Sequence, residues 1–89
     1  MVISLETGLD KKEIIENIKK RMMNKKWLYE NYDEIREEHA YEYVAIDNEQ
    51  IINSDKNRNH LREKLKEEFQ KIDHILIELI NSKNIRLLL

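Results

Sequence analysis

Apolar positions first repeat at helical spacing. Ile14, Ile15, Ile18 and Met22 fall three or four residues apart, which predicts a helix from about Asp10 to Met23 with one narrow apolar stripe. Asp10 and Glu13 stand at the spacing of a capping box. Asn24 is the expected break, and a second helix follows from about Lys25 to His39. Its stripe is Leu28, Tyr32 and Ile35, with Trp27 and Asn31 alongside. One fused helix through Asn24 is the alternative, since Asn costs only some tenths of a kcal/mol inside a helix.

From Tyr41 the period changes. Tyr41-Glu42-Tyr43-Val44-Ala45-Ile46 is aromatic and β-branched, as strands prefer. Asp47-Asn48-Glu49 reads as a tight turn, because Asn and Asp tolerate the left-handed backbone a hairpin needs. Gln50 to Asn53 would be the return strand, closed by Ser54-Asp55. A third helix then runs from about Lys56 to Lys71, with Leu61, Leu65, Phe69 and Ile72 on one face. Beyond it, Ile72, Leu76 and Leu79 could extend the helix to Asn81. The β-branched stretch from His74 to Ile80 favours a strand instead, with a turn at 81–84 before Ile85-Arg86-Leu87-Leu88-Leu89.

The expected fold is therefore α+β within one domain over 1–89. It has an N-terminal helical arm (1–26), then a β-hairpin, a helix and one or two C-terminal strands (27–89). Three or four strands with a single helical layer would bury one face of the sheet.

A resemblance adds to this outline. Trp27-Leu28, Asn31-Tyr32-Asp33-Glu34-Ile35, Tyr43-Val44-Ala45-Ile46-Asp47, Ile51-Ile52 and the Leu61 to Leu65 helix resemble a small family of uncharacterised, mostly archaeal proteins. In that family a short aromatic helix precedes a hairpin, a helix and a final strand, here matched by Ile75-Leu76-Ile77. The resemblance covers about residues 27–80 and implies an architecture without an activity. Where the family carries glycines, before the first strand and around the hairpin, this chain has Tyr41-Glu42, Asp47-Asn48-Glu49 and Ser54.

Composition narrows the classes. The chain of 89 residues is 38 % charged and 40 % hydrophobic, with no proline, no cysteine and one glycine. Turns must therefore be made by its nine Asn and five Asp. Thirteen Ile, ten Leu and abundant Lys and Glu fit either heat adaptation or an AT-rich genome. Without cysteine there is no disulfide and no thiolate site. No apolar run approaches a membrane span, and Met1 to Glu6 lacks the basic start and apolar run of a signal peptide. A cytoplasmic protein is expected.

Charge is segregated along the chain. Residues 10–26 carry seven bases and three acids, whereas residues 27–50 carry one base, Arg36, and eight acids. The net values, +4 and -7, make a dipole suited to pairing with itself or with a partner. Lys19, Lys20, Arg21, Lys25 and Lys26 could line a phosphate track, but the acidic segment beginning beside them disfavours nucleic acid. A ribbon-helix-helix reader would place Ile3 and Leu5 on a strand. The glycine-centred turn and second-helix start that such a protein needs are missing.

Catalytic signals are weak. His39, His60 and His74 never pair at i, i+4, so no metal site is expected. Asp33, Glu34, Glu37 and Glu38 read as a solvated acidic face rather than paired acid–base groups. There is no phosphate loop and no nucleophile elbow. The expectation is a non-enzyme without cofactor or small-molecule substrate. It would be a protein-interaction or self-association module, a homo-oligomer in which Tyr29, Leu87 and Leu88 contact the partner. The alternative is an antitoxin-like nucleic-acid binder using the basic helix.

Overall fold

A computed structural model describes residues 11–81. The expectations that rest on Met1 to Asp10 and on Ile85 to Leu89, among them the Asp10 cap and the Leu87 and Leu88 contacts, lie outside the described residues. Three helices and three strands follow in the order α1 (Lys11–Glu30), α2 (Tyr32–His39), β1 (Tyr43–Asp47), β2 (Gln50–Asp55), α3 (Arg58–Glu68) and β3 (Leu76–Leu79). The α+β class and the order of its elements are as the sequence predicts.

The helical break lies at Asn31, not at Asn24. The Asn31 side-chain amide donates to the carbonyl of Trp27 at 2.8 Å, and its backbone N–H is shared between the carbonyls of Trp27 and Leu28. A side chain that bonds the preceding turn competes with the helical ladder, and the helix is interrupted there. Asn24 sits in unbroken helix for the reason given below.

The hairpin closes as expected. Asn48 and Glu49 both have positive φ, 52° and 59°, which is the two-residue turn whose twist matches that of the strands. The return strand runs on to Asp55, two residues further than predicted. Between Ala45 and Ile46 the register shifts, and Ile52 is the extra residue opposite them. Before β1, Ala40 (φ -54°, ψ 134°) and Tyr41 (φ 65°) form a turn in which the N–H of Glu42 donates to the carbonyl of His39. Positions that favour glycine are thus held by Tyr41, Asn48 and Glu49.

All strand pairs are antiparallel in the order β2-β1-β3, which leaves β2 and β3 parallel on either side of β1. They are joined by a crossover through α3. Val44, Ala45 and Ile46 are fully buried in succession, so the central strand is covered on both faces. Three layers therefore replace the single helical layer expected. On one face Val44 and Ile46 meet Leu28, Tyr32, Ile35, Leu76 and Ile80, with Trp27 half-buried at the border. On the other, Ala45 and Ile75 meet Leu61 and Leu65, with Tyr43 and Ile52 alongside.

Helix α3 is shorter than predicted, ending at Glu68 instead of Lys71. Glu67 and Glu68 place acids at the carboxyl end, where the helix dipole disfavours them. Phe69 turns to extended backbone (φ -125°, ψ 141°) while its N–H still reaches the Leu65 carbonyl. Phe69 and Ile72 consequently reach the core from a loop, not from the helix. The stretch after Asp73 is a strand over Leu76–Leu79, as favoured over a continued helix. The Tyr32 hydroxyl accepts the N–H of Asn81 at 3.0 Å and ties α2 to its end.

Candidate functional site

Helix α1 meets the sheet only through its C-terminal half, where Asn24 and Leu28 are its buried residues. The residues from Lys11 to Met23 extend past the core, about 18 Å of helix at 1.5 Å per residue. The narrow apolar stripe predicted on this helix is therefore largely in solvent: Ile14, Ile15 and Ile18 are 42–51 % exposed and Met22 65 %, and Tyr29 is 50 % exposed. Ile15, Ile18, Met22, Lys25 and Tyr29 are spaced 3, 4, 3 and 4 apart, the period of a coiled-coil seam. Lys25 lies with its ammonium 6.0 Å from the Tyr29 ring centroid and 3.8 Å from Glu78 on β3.

The predicted basic track does not form one face. At 100° per residue, Lys19, Lys20, Arg21, Lys25 and Lys26 are spread around the whole circumference of α1. Lys20 lies near the hairpin turn with Asp47 and Glu49, and Lys26 lies beside Met22, Tyr29 and Glu30. Arg21 instead joins Arg58 and Arg62 of α3, with Asp73, Ile75 and Ile77, around a depression of about 220 Å3. Sequence reasoning missed this grouping, because its members stand nearly forty positions apart.

Asn24 is 2 % exposed, and both polar atoms of its side chain are bonded. Its amide nitrogen donates to the Ile46 carbonyl at 3.2 Å, and its oxygen accepts the Glu49 N–H at 2.9 Å. One side chain thus fastens α1 to both the strand and the turn of the hairpin. The depression beside it, lined by Lys20, Asn48 and Glu49, is the mouth of this clamp.

A second polar cluster surrounds Asp55. Its carboxylate accepts the Asn57 N–H at 2.8 Å and lies 2.6 Å from His60 Nδ1 and 3.1 Å from Lys64 Nζ. These contacts, the Asn57 N–H first, hold the Asp55 pKa down at about 2 against the opposing pull of its partial burial. Asn57 caps α3 by accepting the His60 N–H, and Lys64 also donates to the Ser54 carbonyl. This is the joint between β2 and α3. Every member is spent on the fold.

The other histidines are likewise beside single acids, His39 with Glu42 at 3.0 Å and His74 with Asp47 at 3.5 Å. Among the described residues no group of three or more His, Asp or Glu side chains could hold a metal ion. No described helix is long and apolar enough to cross a membrane. No family model, curated protein or solved structure matches the chain, so function is argued from its own residues.

Proposed function

We propose that the chain is a non-catalytic self-association module that pairs with a second copy of itself through the exposed seam of α1. The observation that carries this reading is the run Ile15, Ile18, Met22 and Tyr29, together with Ile14, all largely exposed on a helix anchored in the core by Asn24 and Leu28 on another face. An apolar helical stripe of this kind marks an interaction surface.

Charge supports a second copy, and an antiparallel one. The N-terminal end of the seam, where Glu13 pairs with Lys71 at 3.0 Å, carries Lys11 and Lys12, and beyond Tyr29 the other end carries Glu30, with Asp33 and Glu34 following. Two copies related by a two-fold axis, with Ile18 of each against Met22 of the other, set Lys11 beside the partner's Tyr29 and Glu30. Opposite signs then meet at both ends, whereas a parallel pair would stack lysine on lysine.

Light scattering should return about twice the chain mass of 10.9 kDa at micromolar concentration. Ile18→Lys should give the single-chain mass with an unchanged circular dichroism spectrum. Lys11→Cys mixed with Tyr29→Cys should cross-link between chains, and neither variant should do so efficiently alone. A single-chain mass at every concentration would refute self-association. Efficient self-linking of Lys11→Cys would refute the antiparallel order.

A further inference from the structure

Four arginines lie in the described residues. Arg36 is 3.7 Å from Asp33, whereas Arg21, Arg58 and Arg62 line one depression. Helices α1 and α3 pack on opposite faces of the sheet, so a depression lined by both lies at the sheet margin, at the start of β3. Among the described residues no carboxylate stands within ion-pair distance of these three. Asp73, the single acid on the lining, leaves a formal excess of two positive charges there.

The arrangement is costly to the free protein in two separate ways. Arg58 and Arg62 are an i, i+4 like-charge pair on α3, which weakens a helix. Arg58 also stands in the first turn of α3, where the dipole favours negative charge and no acid is present. Guanidinium stays protonated at any ordinary pH, so neither cost is relieved by losing a proton. An anion seated between the three would relieve both.

We propose that this depression is a binding site for the phosphate dianion of a small phosphomonoester. The planar forks of Arg21, Arg58 and Arg62 can each engage a phosphoryl oxygen from a different side. Ile75 and Ile77 supply an apolar floor for the body that carries the phosphate. Arg21 flanks the α1 seam, whereas Arg58 and Arg62 stand on α3, so variants at those two test the site apart from the pairing proposed for α1.

Titration with inorganic phosphate and with pyrophosphate, followed by calorimetry and by the melting temperature, tests the site. Saturable binding is expected, with a rise in melting temperature that saturates with it. Arg62→Gln and Arg58→Gln should each weaken phosphate binding at least about tenfold, the size of one charge-assisted hydrogen bond. Without phosphate the same variants should melt no lower than the parent, since each removes a like-charge contact. Lys66→Gln, a charge loss elsewhere on α3, should leave the affinity unchanged. Equal weakening by Lys66→Gln, or no saturable binding of either probe, would overturn the proposal. A short oligonucleotide that displaces pyrophosphate with the steep salt dependence of many phosphates would assign the site to nucleic acid and overturn it too.

Discussion

Replacing Asn24 with alanine removes the clamp between α1 and the hairpin. The Ile46 carbonyl belongs to a fully buried residue, so it would lose a partner that water cannot readily replace, at about 1–3 kcal/mol. Glu49 is exposed, and its freed N–H can turn to solvent, at about 0.5–1 kcal/mol for the lost bond. Alanine returns about 0.5 kcal/mol through its better helix propensity. The balance is a loss of about 1–3.5 kcal/mol, a sizeable part of the roughly 5–10 kcal/mol expected of a domain this size. Urea denaturation should show a lower midpoint with an unchanged slope, and the Glu49 amide should exchange faster. Asn24→Asp sharpens the test. Its carboxylate keeps the acceptor for Glu49 but opposes the Ile46 carbonyl, and its protonated form has an O–H to donate there. A buried acid that favours its neutral form has a folded pKa above its unfolded one, so its penalty should shrink relative to the parent as pH falls. If Asn24→Ala costs no more than the exposed Lys20→Ala, the clamp contributes nothing and the reasoning fails.

Three further outcomes follow from the structure. Glu49→Gly and Tyr41→Gly should each raise stability by up to about 1 kcal/mol, because positive φ strains a residue bearing a Cβ; unchanged denaturation midpoints would refute this. The folded pKa of Asp55 is below its unfolded value, so its stabilisation is present above about pH 4 and is lost as pH falls through about 2. Asp55→Asn should therefore flatten the acid limb of the stability profile, and an unaltered limb would count against the cluster. Trp27, half-buried beside Leu28, should show partial quenching by iodide, where full quenching would place it outside the core edge.

The fold was legible where one pattern served one purpose. Leu28, Tyr32 and Ile35 on the second helical segment, and Leu61 and Leu65 on the third, are buried as their spacing predicts. The unbroken Val44-Ala45-Ile46 run carried the sign of a strand covered on both faces, and only the layer count was misjudged. Ile14, Ile15, Ile18 and Met22 form the helical stripe their spacing predicts, but such a stripe states that something will cover it, not what. Asn24 and Asn31 could not be told apart by residue type. Asn31 bonds its own helix at the point where it is interrupted, whereas Asn24 finds partners on a hairpin more than twenty residues away and leaves the helix intact.

Charge followed the same logic. Five bases crowded into residues 19–26 looked like a surface, but helical geometry sends Lys20 to the hairpin while Arg21 and Lys25, four apart, both reach β3 at the sheet edge. Proximity in sequence within a helix disperses side chains around the axis and brings together only those three or four apart. Convergence comes instead from topology. The crossover through α3 carries Arg58 and Arg62 over one face and delivers the chain to β3, while α1 brings Arg21 across the other. The positive site thus arises where two layers meet at a sheet edge. A run of like charge on one helix predicts a solvated cylinder, and a binding site requires charges that the fold has collected from separate elements.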